Sequence, residues 1–252
     1  MSGQDYKLTE SITLHHPSMR EIFNINNGVM SEQIYWSYAS SLMCDPYNNM
    51  VMLDDMGKNF MEVTPFDVLI LTLQNKQNED FDSYHSLINN ALKLFIVEKH
   101  DFVVSQYENG EYCLVDKNNT RCQINKEIFD YIYDWIVSIN KIDNSKQIKP
   151  ADENARRILI EDARDELKKM KRRKNKKKDE ESDLFGNAMS SVCFGGNGCA
   201  TPFTIMDYKI FWLLENHSVI AKKQRANNLF RGIYAGTVGL KDIDKNELDW
   251  MS

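Results

Sequence analysis

Five cysteines, a few histidines and one glycine cluster are the residues of this 252-residue chain whose types and spacing could do chemistry. Cys193 and Cys199 enclose five residues, with His217 further on. Zinc asks for four tetrahedral ligands, usually in close C-x2–4-C pairs. The spacing here is too wide and a fourth ligand is missing, so small buried or loop thiols are expected. Cys113 and Cys122 could face each other across a predicted hairpin, yet in a reducing cytosol they would remain thiols. Gly195-Gly196-Asn197-Gly198 has the glycine content of a phosphate loop. It lacks the Lys-Ser/Thr pair such a loop needs, and a flexible hinge is expected instead. His15-His16 sits beside Pro17 with no Cys, Asp or Ser constellation near it, and Asp54-Asp55 reads as helix-end acids rather than a cation site. No catalytic, cofactor-binding or metal-binding residue is assigned, and no enzyme is expected.

Charge carries more information. Lys168 to Lys178 places nine cations in eleven positions: Lys168, Lys169, Lys171, Arg172, Arg173, Lys174, Lys176, Lys177 and Lys178. Without them the chain keeps 22 basic against 37 acidic groups, so an acidic body carries one basic arm. Nine cations can release counterions from phosphates, giving weak, salt-sensitive and sequence-blind nucleic-acid binding. No aromatic residue is interleaved to stack on bases, and Asp179, Glu180, Glu181 and Asp183 follow at once. A solvated connector is the expectation, with a nucleic-acid-binding accessory protein as the alternative.

The elements that must position these residues divide at Asp143–Asp152, a polar stretch. The sequence predicts an α+β class: N-terminal helices with a small antiparallel three-stranded meander over residues 1–145, a linker and charged basic helix over 146–183, and a helical C-terminal region over 184–252. A strand over Lys7–Leu14 precedes Pro17 and a Ser18-x-x-Glu21 capping box. Helices are expected over Gln33–Met43, Asn49–Met56, from Thr64-Pro65-Phe66-Asp67 onward, and over Phe81–Phe95. Phe102–Val104, Tyr112–Val115 and Arg121–Ile124 read as strands with an Asn109-Gly110 turn. Lys126–Asn140 returns to helical spacing, and Glu153 opens a long helix with a sparse stripe of Ala155, Leu159, Ala163, Leu167 and Met170.

Thr201-Pro202-Phe203 repeats the earlier helix start, and a pair of helices is expected from Thr201 to Tyr234, divided near Val219 and stopped by Gly236. The glycines between Gly186 and Cys199 would let that pair move relative to the basic helix. Phe211 and Trp212 are adjacent, so one of them should face away from the core. With Phe230 they are the expected partner-binding residues, since interface anchors tend to be aromatic. No apolar run approaches a membrane span of roughly 20 residues, and the polar N-terminus lacks a signal-peptide core. No membrane partner is expected.

Three stretches resemble a known group. Ile12–Ile22, Tyr35–Phe66 (with Asp45-Pro46, Asp54-Asp55-Met56-Gly57 and Thr64-Pro65-Phe66) and the end Gly232–Ser252, closing on Trp250, are similar to tail-assembly chaperone-like proteins. These belong to phages of low-GC Gram-positive bacteria. The resemblance covers about the first 70 and last 50 residues. It implies a non-enzymatic morphogenesis factor, in the host cell cytoplasm, that holds the aggregation-prone tape-measure protein while tail-tube subunits assemble. Its partners would be tape-measure or other tail proteins, with self-association. A structural tail or neck component of the virion is a further alternative.

Overall fold

A computed structural model describes residues 3–25, 32–74, 78–144, 147–174, 183–195, 200–239 and 243. The chain is a mixed α+β protein, 58% helical, with a two-stranded and a three-stranded antiparallel sheet and a helical C-terminal region. It forms two compact units that are not contiguous in sequence. One, here the body, comprises Gln4–His16 and Gln33–Ser182; the other, the C-terminal unit, joins Asp183–Ser252 to Pro17–Glu32 and Met1–Gly3. The sequence suggested that residues 17–32 belong with the first domain. Backbone pairing decides otherwise: Met19 N–H donates to Tyr208 C=O and Ile210 N–H to Pro17 C=O, both at 2.9 Å.

In the body, the predicted strand over Lys7–Leu14 is a hairpin of β1 (Tyr6–Lys7) and β2 (Thr13–Leu14). The polar Thr9-Glu10-Ser11 turn folds it back, with Leu8 and Thr9 N–H both donating to Ile12 C=O at 3.0 Å. Helices α2 (Glu32–Leu42), α3 (Met50–Asp55), α4 (Pro65–Gln74) and α5 (Asn78–Phe95) fall where spacing and caps place them. Thr64 and Asp67 cap α4 reciprocally: the Thr64 N–H and hydroxyl donate to the Asp67 carboxylate at 2.9 and 2.7 Å, and Asp67 N–H returns to the hydroxyl at 3.4 Å. That helix buries Phe66, Val68, Leu69, Ile70 and Leu73, so its all-round apolar character corresponds to burial on several sides.

The meander β3 (Phe102–Gln106), β4 (Tyr112–Asp116) and β5 (Gln123–Ile124) follows. Its first strand is pinned to α5 by one side chain. Asn89 Oδ1 accepts from Phe102 N–H at 2.7 Å while its Nδ2 donates to Phe102 C=O at 2.9 Å. Helix α6 (Lys126–Ile139), capped by Asn125, seals the core with Phe129, Ile132, Ile136 and Ile139. At its end the buried Tyr35 hydroxyl donates to Asn140 Oδ1 at 2.7 Å. Helix α7 (Glu153–Lys174) packs on α3 through Ile160 and through Arg164, which bridges both Asp54 and Asp55. Those acids hold a helix in place. Ala155, Leu159 and Ala163 of the predicted stripe are half-buried, whereas Leu167 and Met170 are exposed.

In the C-terminal unit, α1 (Met19–Asn24) carries the predicted Ser18/Glu21 capping box and buries Met19 and Ile22. Two expectations change here. The stretch from Gly186 to Gly195 is helix α8 (Leu184–Ser190) continued by a π turn (Ser191–Gly195), while the rest of the expected hinge, Gly196 to Cys199, lies outside the described residues. Asp183 caps the helix by accepting the Gly186 N–H at 2.9 Å, with its carboxylate lying close over the glycine. The expected helix pair is one helix, α9 (Ile210–Tyr234). Thr201 and Thr204 close a local turn into a short 3-10 segment (Ile205–Asp207), and extended Tyr208 and Lys209 delay the helix. No proline or mid-helix glycine then divides α9 before Gly236 stops it at φ +69°.

Candidate functional site

Three arrangements bring chemistry-bearing residues together. The first is one that spacing did not suggest. His100 Nδ1 lies 2.8 Å from Asp116 Oδ2, and its Nε2 lies 3.6 Å from Cys122 Sγ. Cys-His-Asp order resembles a nucleophile with its base and orienting acid. Three facts argue for a structural clamp. Cys122 is 1% exposed, leaving a substrate no approach. Burial, with the Asp116 and Glu98 charges, pushes its thiol up to about 11. The His100 Nε2 also lies 2.8 Å from the Ser11 carbonyl, so the nitrogen that would accept the thiol proton is committed to that acceptor. Burial opposes ionisation of Asp116, but His100 and the backbone N–H groups of Asn118 and Asp101 outweigh it and hold the carboxyl below its ordinary value.

Cys44 and Cys113 are likewise enclosed, whereas Cys193, on the π turn, is half-buried. Cys44, Cys113 and Cys122 are buried thiols. Burial pushes the Cys44 thiol up to about 12. Cys113 and Cys122 do not face each other: Cys113 pairs with Ser105, and Cys122 sits opposite Asp116. Cys199 and the glycines after Gly195 lie outside the described residues, as does Trp250. Of the paired histidines, His15 contacts Asp5 at 3.0 Å and His16 is buried against Trp135. Among the described residues, no three His, Cys, Asp or Glu side chains converge to hold a metal ion, and no helix is long and apolar enough to cross a membrane.

The second arrangement is a groove of about 730 Å³ in the body, walled by α4, the β3–β4 turn and the start of α6. Phe66, Ile70 and Leu71 make an apolar floor, with Asp67, Lys126 and Asp130 above it. Lys126 Nζ lies 3.2 Å from Asp67 Oδ2. Burial works against the Asp67 anion, but the Thr64 cap and Lys126 prevail and lower its pKa. Asp130 is shifted the other way, raised by burial and by Asp134 and Asp67 against the opposing pull of Lys126. Its Oδ1 is buried and accepts no hydrogen bond among the described residues.

The third is the outer surface of the C-terminal unit. Phe203 and Tyr234 are each 88% exposed and Phe194 76%. On α9, Trp212 and Phe230 are 39% and 40% exposed. They stand eighteen residues apart, which is five turns at ~3.6 residues per turn, so they share one line along roughly 27 Å of helix. Val219 lies within about 20° of that line and Tyr234 within about 40°. The face packed by the π turn is distinct: Gly195 lies against Ile220 and Gln224, about 80–120° around the helix from Trp212. Helix α9 thus carries two exposed aromatics on one line, with Val219 and Lys223 half-buried between them and the fully buried Ala226 about 40° to one side. Of the adjacent pair, Trp212 faces outward with Gly3 against its indole, while Phe211 is half-buried and meets it edge-on at 5.2 Å.

The basic arm begins as part of α7. Lys168, Lys169, Lys171, Arg172, Arg173 and Lys174 are helical; Lys176, Lys177 and Lys178 lie outside the described residues. Lys168 and Lys169 are each paired one turn back, with Asp165 at 2.9 Å and Glu166 at 2.7 Å, which lowers the charge presented to a polyanion. Comparisons with protein-family models, with curated proteins and with solved structures find no match.

Proposed function

We propose that this protein is a non-enzymatic phage tail morphogenesis factor, acting in the host cytoplasm as a tail-assembly chaperone that holds the tape-measure protein. The observation that carries the reading is the pair of exposed aromatics on one line of α9, Trp212 and Phe230, with Phe203 and Phe194 also exposed on the same unit. Exposed large apolar side chains in that number mark an interaction surface. Two aromatic anchors about 27 Å apart on one unbroken helix suit a long helical client, which offers apolar side chains at the same helical repeat. The resemblance of Ile12–Ile22, Tyr35–Phe66 and Gly232–Ser252 to tail-assembly chaperones supplies the identity of that client.

The test is co-expression with the tape-measure protein encoded beside this chain, scoring client solubility. Wild type should keep the client soluble, and Trp212→Ala with Phe230→Ala should lose it while retaining the wild-type melting midpoint. Phe211→Ala, at a half-buried position, should lower both. A client that stays insoluble with wild type overturns the reading. A fluorescent nucleic acid retained at moderate salt, where sequence-blind phosphate contacts fail, would shift the function to the basic arm.

A further inference from the structure

The groove of the body is independent of the α9 aromatics and of the chaperone reading. Its rim carries four carboxylates, Asp67, Glu111, Glu127 and Asp130, against two ammonium groups, Lys58 and Lys126. One of those ammonium groups is already engaged with Asp67. Asp130, one turn after Lys126 on α6, keeps a buried oxygen that accepts no hydrogen bond among the described residues. An unmatched buried carboxylate oxygen is costly, and a hydrogen-bonded cation relieves that cost. Beneath it, Phe66 and Ile70 are almost completely buried and Leu71 half-buried, giving a hydrocarbon floor next to the charge.

Each simpler occupant leaves part of the site unmet. An anion meets the wrong charge, and a purely apolar group strands Asp130. A bare metal ion lacks a third ligand among the described residues. A cation on an aliphatic stem satisfies both carboxylate and floor, as lysine and arginine side chains do when they lay their stems along apolar surface. The volume of about 730 Å³ is that of a site for a drug-sized molecule, more than one side chain fills. We propose that this groove receives a short basic and apolar segment of a partner protein. A lysine or arginine of that segment reaches Asp130, and its neighbouring apolar side chain lies on Phe66 and Ile70.

The experiment titrates the full-length protein with a blocked peptide of alternating leucine and lysine, and with its leucine–glutamate counterpart. Binding is read by the methyl resonances of Ile70 and Leu71. The lysine peptide should shift both and the glutamate peptide neither. Asp130→Asn keeps the side chain's shape, and should weaken binding on the order of tenfold, the low end for loss of a hydrogen bond to a charged group. Glu161→Gln, at an exposed acid on α7, should change nothing. Glu111→Gln combined with Glu127→Gln alters only exposed rim residues, so it reports on charge independently of folding at Asp130; it should weaken binding less. Equal affinity in wild type and Asp130→Asn overturns the proposal, as does equal binding of the glutamate peptide. Complete displacement of the lysine peptide by spermidine at matched charge would replace the protein segment with a small polyamine.

Discussion

The two compact units place their aromatic residues in opposite ways. The body encloses Tyr35, Phe60, Phe95, Phe102 and Phe129, and the aromatics it exposes, Tyr6, Tyr107 and Tyr131, all carry a hydroxyl. The C-terminal unit encloses Phe185 and leaves Phe194, Phe203, Trp212 and Phe230 in the open. A phenylalanine ring gains nothing from water, so its exposure requires a reason that a tyrosine's does not. The contrast separates a unit that is stable through its own core from one whose surface is suited to being covered.

Truncating the same side chain in each unit breaks or upholds this contrast most directly. Phe129→Ala, in the sealed core, should cost about 3–5 kcal/mol by denaturant unfolding. Phe203→Ala should stay within about 0.5 kcal/mol of wild type, the range of surface substitutions. A large loss at Phe203 would place it in a core and remove the case for an open surface.

The His100–Asp116 clamp sharpens the comparison through pH. Asp116 has a folded-state pKa below its unfolded value, so its contribution is fully present above the unfolded value. It is lost as pH falls through the folded one. The loss should therefore appear below about pH 4, the ordinary aspartate value. Asp116→Asn should cost about 2 kcal/mol at neutral pH, the scale of a charge-assisted hydrogen bond, and flatten that acid limb of the stability curve.

Asp130 has the opposite sign. Its folded pKa is raised, so the carboxylate lowers stability once pH rises above the ordinary aspartate range. Asp130→Asn should therefore stabilise the protein at neutral pH, by less than about 1 kcal/mol because the side chain is partly solvated. A stabilised variant with weakened peptide binding would mark Asp130 as a residue kept for recognition at a cost to the fold. The smallest effect belongs to the arm. Replacing Arg172 with Ser should cost only a few tenths of a kcal/mol of helix propensity, read as a slight loss of far-ultraviolet ellipticity.

Much of the fold was legible because its signals are local. Ser18/Glu21, Thr64/Asp67 and Asn125 cap helices through side chains within three residues of the groups they satisfy, and Asn109-Gly110 turns the hairpin. What the sequence hid depends on distant partners. The late start of α9 follows from Pro17 occupying the Ile210 N–H, and Cys122 meets His100 only through the register of β4 and β5. The groove brings Phe66 beside Asp130 across more than sixty positions. Trp212 and Phe230 were visible as aromatic residues, but their common line required knowing that α9 is unbroken. The full extent of the arm lies partly outside the described residues.

The Asn89 amide imitates a neighbouring strand, engaging both the N–H and the C=O of Phe102. Peeling β3 from α5 would strand these groups together, in a site sealed from water. Opening of the meander is therefore tied to opening of the helix, and the two should exchange their amide hydrogens for deuterium as one cooperative block. Phe102 would be the slowest position of the sheet, although it stands at the first residue of a strand, where fraying would ordinarily begin.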